Sequence, residues 1–226
     1  LITPYFVRKM RRWDYAAAQR PDALVANSAT VAKRIKKYYK RDSQVVFPPV
    51  DIKRFNTNDT KQGDYMLVLS RLVAYKRFDL AVEACSKLGL KLIVAGDGPE
   101  LKRLRSLAGP SIEFVGKPTD KEVARLFEGC KGFMFPGEED FGITPVEAMA
   151  CGKPVIAYGK GGAAETVVNG TTGILFDKQT VGSVAIALEE FGQKQWDSTL
   201  IRRRAEEFNE ERFIREIHEV VEAKLA

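Results

Sequence analysis

The sequence predicts an α/β fold: a doubly wound, mostly parallel sheet with helical segments at both ends. Three observations carry this expectation. Between Tyr65 and Phe135 short apolar runs alternate with stretches of helical composition, the pattern of strands joined by crossover helices. Glycine and proline follow the strand-like runs, as in Gly96-Asp-Gly-Pro99 and Gly116-Lys-Pro118. With 226 residues and 45% hydrophobic content, the chain is long enough to bury a full core.

In chain order, residues 8–19 have helical composition and stop before Pro21. Residues 23–26 read as a short strand leading to Asn27-Ser28, where Ser28 is a good N-cap for a helix reaching Tyr39. Residues 45–47 form a second short strand, and Pro48-Pro49 stiffens its exit. Residues 56–63 are linker-like. Strands are then expected at 65–70, 91–95, 112–115 and 132–135, with helices at 79–88, 99–107 and 120–129. Residues 136–141 form a loop, 143–151 a helix ending at Gly152, and 154–157 the start of another strand. A glycine-containing loop at 160–165 enters a short helix, 173–176 reads as an edge strand, and helices follow at 181–191, 198–208 and 210–224.

Composition narrows the function classes. No run of about 18 apolar residues occurs, so no helical membrane span is expected. The first ten residues carry basic residues after apolar ones and lack a small-residue cleavage site, unlike a signal peptide. The chain opens without Met, and a fragment is the expectation. Cys85, Cys130 and Cys151 show no metal-ligand spacing and read as reduced core residues of a cytoplasmic protein. The single histidine, His218, lies in a charged C-terminal helix and reads as a surface residue, which argues against a His-based triad or zinc site. Residues 1–45 hold 11 Lys/Arg against 3 Asp/Glu, whereas residues 46–226 hold 25 against 27. Because those cations are interleaved with Tyr5, Phe6, Trp13 and Tyr15, three readings stay open: a solvated helical face, an anionic membrane contact, or nucleic acid.

Most of the chemistry sits in residues 137–157. Glu139 in the loop and Glu147 in the helix are spaced so that both can face one ligand. Between them the amides of Phe141, Gly142, Ile143 and Thr144 lie at a helix start, where unpaired N–H groups and the positive dipole end favour anions, above all phosphate. Gly142 permits close backbone approach. The alternative is a solvated acidic loop before an ordinary amphipathic helix. Gly96-x-Gly98 is a weak dinucleotide fingerprint, since Leu101 stands at the third glycine position and no acidic residue ends a strand about 20 residues on.

The paired glutamates around Phe141-Gly142 resemble the donor-site signature of the retaining GT-B glycosyltransferases of family GT4, a resemblance that covers about residues 23–226. Leu69-Ser-Arg-Leu-Val-Ala-Tyr-Lys-Arg77 resembles a family segment whose Arg and Lys hold the donor diphosphate. The resemblance gives those roles to Arg71 and Lys76, with Ser70 and Arg77 standing where the family has glycines. A guanidinium forking onto two phosphate oxygens and an ammonium adding a point charge suit them. Gly116, Lys117 and Pro118 resemble the loop bordering the nucleotide base, although an ordinary strand-to-helix loop also fits. Val25-Ala-Asn-Ser28 and Pro48-Pro-Val-Asp51 resemble the crossover between two GT-B domains.

The resemblance thus implies a Rossmann-like C-terminal GT-B domain. The expected division is an acceptor-domain remnant at 1–45, a nucleotide-sugar-binding domain at 46–208 and a returning C-terminal helix at 209–226. Glu139 would hold the sugar hydroxyls and Glu147 the ribose hydroxyls, with Glu139, Arg71 and Lys76 as the catalytic groups. The wording of residues 137–148 and 158–162 is most similar to mannosyltransferases of surface-polysaccharide assembly, so GDP-mannose is the expected donor. No Asp-x-Asp occurs, and metal-independent transfer without a cofactor is expected. Expected partners are the nucleotide sugar, a glycan or lipid-linked acceptor, the missing N-terminal domain and the anionic cytoplasmic membrane face as a peripheral contact, with no nucleic acid. A non-catalytic nucleotide- or partner-binding module and a basic nucleic-acid binder are the alternatives.

Overall fold

The computed structural model describes residues 2–55 and 63–225. The chain opens with α1 (Ile2–Ala18), β1 (Val25–Ala26), α2 (Ala29–Tyr39) and β2 (Gln44–Val45). β1 and β2 pair in parallel as a small separate sheet. From β3 onward strands and helices alternate: β3 (Met66–Leu69), α3 (Phe78–Leu88), β4 (Leu92–Ala95), α4 (Leu101–Leu107), β5 (Ile112–Gly116), α5 (Asp120–Gly129) and β6 (Gly132–Phe135). Then come α6 (Ile143–Ala150), β7 (Val155–Tyr158), α7 (Ala163–Thr166), β8 (Gly173–Phe176), α8 (Val181–Gln193), α9 (Ser198–Glu206) and α10 (Glu210–Leu225).

The main sheet has six parallel strands in the order β5-β4-β3-β6-β7-β8, as the doubly wound expectation required. Successive residues of a strand point to opposite faces, and the core divides accordingly. Leu67, Phe133, Phe135, Val155 and Ala157 join the cluster containing Phe127 and Met149, while Met66, Val68, Met134 and Ile156 join the one containing Leu104 and Leu188. Helices cover both faces, so β6 and β7 are buried throughout and read in sequence as unbroken apolar runs. β8 is an edge strand. The chain winds outward from β3 to β5, crosses back, and winds the other way from β6 to β8. The reversal therefore lies between β3 and β6, where sheets of this kind open a crevice at the strands' carboxyl ends.

Several boundaries differ from expectation. α1 starts at Ile2 because Pro4 falls in the first turn, where a missing N–H removes no helical bond. The second strand stops at Val45, and Phe47 instead packs its ring against Phe208 and Phe141 at 5.5 and 5.8 Å. α4 begins at Leu101 rather than Pro99, after Gly98 has turned the chain against Leu72. The linker expected at 56–63 lies, apart from Gly63, outside the described residues. Cys85, Cys130 and Cys151 are free and buried, and burial pushes all three thiols up, Cys85 and Cys130 to about 12. His218 is exposed on α10. Among the described residues no helix is long and apolar enough to cross a membrane. α1 exposes Tyr5, Phe6, Met10 and Trp13 beside its basic residues.

Candidate functional site

Two loops form the crevice at the winding reversal: the one after β3, carrying Arg71 and Lys76, and the one after β6, carrying Glu139. Each is held by contacts that only glycine allows. A Cβ on Gly96 would stand 1.9 Å from the carbonyl oxygen of Ser70, and one on Gly98 2.4 Å from that of Leu72. The loop after β4 can therefore lock onto the Arg71 segment, with Leu72 N–H donating to Asp97 and Glu100 N–H to Leu72, at 2.9 and 3.1 Å. On the other side, Gly162 N–H donates to the Glu139 carbonyl at 2.8 Å, and a Cβ there would lie 2.2 Å from Phe141 Cα. Gly96-x-Gly98 thus packs the loop after β4 onto the Arg71 segment. The supporting role of Gly162 was not foreseen.

A cavity of about 520 Å³ lies between the loops. Tyr75 and Lys76 wall it from the β3 side, residues 138–144 from the β6 side, and Asn27 and Pro48 from the N-terminal segment. Lys76, only 9% exposed, donates a hydrogen bond from Nζ to Glu139 Oε1 and forms an ion pair with it. Phe135 and Tyr75 rings flank the ammonium at 5.8 and 5.4 Å. Gly142, with φ +83°, precedes α6, and no side chain caps that helix, so its first N–H groups stay available to a ligand. Phe141 contributes backbone only, because its ring is buried against Phe47 and Phe208.

A second cavity, of about 440 Å³, shares Ser70 with the first. Arg71, Lys117 and Pro118 line it together with the apolar side chains of Leu69, Ala95 and Val123. Gly116 lines neither cavity; with φ +72° it ends β5, and its carbonyl accepts from Gly96 N–H at 2.6 Å. It therefore aims Lys117 and Pro118. At Arg77, which replaces a family glycine, the backbone adopts the left-handed φ of +53° all the same, and the guanidinium is held by Asp79 at 3.1 and 3.2 Å.

Glu139 and Glu147 were expected to face one ligand; Glu139 lines the first cavity, and Glu147 lines neither. It is half-buried on α6, within electrostatic reach of Arg54 and Asp120. Burial pushes its carboxyl above the ordinary range, Arg54 opposes the shift and Asp120 adds to it. Glu139 lies in the loop before α6 and Glu147 in the helix itself, so their spacing in sequence does not fix the depth of either side chain.

Residues that went unnoticed in the sequence come from far away in the chain. Glu165 accepts from the amides of Ala29 and Thr30 at 2.7 and 2.9 Å, and Arg34 pairs with Asp140 at 2.6 Å. These two ties seat α2 beside the crevice and bring Asn27 into its wall. No local pattern announces either tie.

Residues 49–211 match the family model of glycosyl transferases, group 1. The chain belongs to this family. This group 1 glycosyl transferase chain is 32% identical over 194 residues to a D-inositol 3-phosphate glycosyltransferase of Mycobacterium bovis, covering 74% of this chain and 40% of that protein. It is 29% identical over 169 residues to an uncharacterized glycosyltransferase of Methanocaldococcus jannaschii, covering 72% and 47%. The chain spans less than half the length of these curated relatives. Among solved structures, an Anabaena protein in complex with UDP superimposes with a TM-score of 0.84 at 23% identity, over 99% of this chain and 70% of that one. Sucrose-phosphate synthase of Thermosynechococcus elongatus superimposes with a TM-score of 0.81 at 21% identity, over 96% and 61%. The Rossmann-like, GT-B-type fold expected of the family is therefore present.

Proposed function

We propose that the crevice binds a nucleotide sugar and that this chain is the donor half of a retaining hexosyltransferase acting on a glycan or lipid-linked acceptor. One observation carries the reading. Lys76, Glu139 and the uncapped start of α6 share a cavity that adjoins, through Ser70, a second cavity holding Arg71, Lys117 and Pro118. The second cavity suits a base, the junction a diphosphate, and the first a hexose.

Glycosyl transfer passes through an oxocarbenium-like state while negative charge builds on the departing diphosphate. Arg71, Lys76 and the amides of residues 141–144 would stabilise that charge, and Glu139 would orient the sugar. Glu147, beside the start of α5, would reach the ribose from outside both cavity walls. The positive charge in this scheme comes from protein groups, so we read donor binding as independent of a divalent ion. For the donor, the wording of residues 137–148 favours GDP-mannose. The Anabaena protein, solved in complex with UDP-glucose, makes UDP-glucose the second candidate. The acceptor is assigned to the part of the longer relatives that this chain does not span.

Calorimetric titration with GDP-mannose, UDP-glucose, GDP and UDP, in EDTA, tests the reading. GDP-mannose is expected to bind most tightly, unaffected by the chelator. No binding of either nucleotide sugar would remove the donor-site assignment, and a strict Mg2+ or Mn2+ requirement would remove its metal independence.

A further inference from the structure

We propose that Asn27, which the sequence marks only as the neighbour of a helix cap, is a donor-sugar binding residue supplied by the N-terminal segment. The inference rests on the donor-site reading above and extends it across to the opposite wall of the crevice.

Asn27 lines the same cavity as Lys76 and Glu139. Its side-chain oxygen accepts from Ser28 Oγ at 3.3 Å, while Ser28, fully buried, also accepts from Val31 N–H as the cap of α2. The amide NH2 offers two donors to a ligand. Its position is held from two sides. Glu165 grips the amides of Ala29 and Thr30 within three residues of it, and Arg34, further along α2, pairs with Asp140 in the facing loop.

The acidic wall of the cavity suits sugar hydroxyls. Glu138, Glu139 and Asp140 all line it, Glu139 paired with Lys76 and Asp140 with Arg34. Their carboxylate oxygens accept hydrogen bonds from hydroxyls. A neutral amide donor opposite them complements a polyol, whose hydroxyl oxygens need donors while its hydroxyl hydrogens need acceptors. Arg71 stands in the adjoining cavity, so the diphosphate is expected toward that side.

The test compares the whole chain with Asn27→Ala and Asn27→Asp, titrated with GDP-mannose and GDP, and with UDP-glucose and UDP. Asn27→Ala is expected to weaken nucleotide-sugar binding about tenfold, the effect of one lost hydrogen bond, while diphosphate binding stays within about twofold. Asn27→Asp keeps the shape, loses both donors and adds a fourth carboxylate, so its loss on the sugar ligand should be larger. A melting temperature within a few degrees of wild type, together with intact diphosphate binding, marks both variants as folded. Equal loss on diphosphate and nucleotide sugar, or no loss on either, overturns the inference while leaving the donor site standing. Wild-type chain that binds neither nucleotide sugar overturns both.

Discussion

Replacing Glu139 with glutamine should change the preference of the crevice between a nucleotide sugar and its diphosphate. Glu139 and Lys76 are paired, and their side chains are only 19% and 11% exposed. The carboxylate thus neutralises the cation that a diphosphate would use, and the incoming phosphates must compete with it. Unit charges about 4 Å apart interact by roughly 1 kcal/mol in water and roughly 4 kcal/mol with surface-like screening. The pair is shielded while the cavity is open to water, which puts the relief at about 1–2 kcal/mol. Glu139→Gln should therefore strengthen diphosphate binding by about five- to thirtyfold. A nucleotide sugar gains the same relief but loses charged hydrogen bonds to its hydroxyls, at about 1.5–3 kcal/mol, so its affinity stays level or falls. The diphosphate-to-sugar affinity ratio should rise by about ten- to a hundredfold. Because glutamine can still accept from Lys76, stability should drop by only about 1 kcal/mol, or about 2–4 °C for a chain of this length. Calorimetry with GDP and GDP-mannose, or UDP and UDP-glucose, reads the ratio directly. The same factor of change on both members of a pair, or weakened diphosphate binding, would refute the reasoning.

Three further outcomes are expected. The carboxyl of Glu147 is held above its ordinary value of 4.5, so its favourable contribution is complete below that value and is lost as pH rises through the raised one. The melting temperature of Glu147→Gln relative to wild type should accordingly climb from pH 4.5 upward and level off above the raised value, whereas a difference constant across this window would refute the buried-carboxylate account. Gly162→Ala would press a methyl group against the Phe141 backbone, which cannot swing aside, and should cost about 2 kcal/mol or more along with nucleotide-sugar affinity; unchanged melting and binding would show that the acidic loop does not rest on Gly162. On α1, exposed Phe6, Met10 and Trp13 accompany Arg8, Lys9, Arg11 and Arg12, so the chain should sediment with phosphatidylserine vesicles, lose that binding with salt or on Arg11→Glu/Arg12→Glu, and ignore neutral phosphatidylcholine; equal sedimentation with both vesicle types would remove the electrostatic contact.

What the sequence determined by itself is whatever neighbouring residues decide among themselves. The run Gly132–Phe135 had to be a doubly buried strand, because it is apolar at every position and bounded by a lysine and a proline. Thr119 and Glu122, three apart, form the reciprocal cap of α5, a purely local pattern. Gly142 before Ile143 marked an uncapped helix start, and Arg71 and Lys76 fell in one loop after one strand. Strand order, the depth of Glu147 and the composition of the far wall were decided only in three dimensions. Glu165 reaches Ala29 across 136 positions, and Arg34 meets Asp140 only because the β6 loop and α2 converge on the same crevice. Such contacts leave no local trace, since a carboxylate that grips a distant helix start carries the same side chain as one in water. Only packing, by choosing which surfaces are buried together, makes Asn27 a neighbour of Glu139.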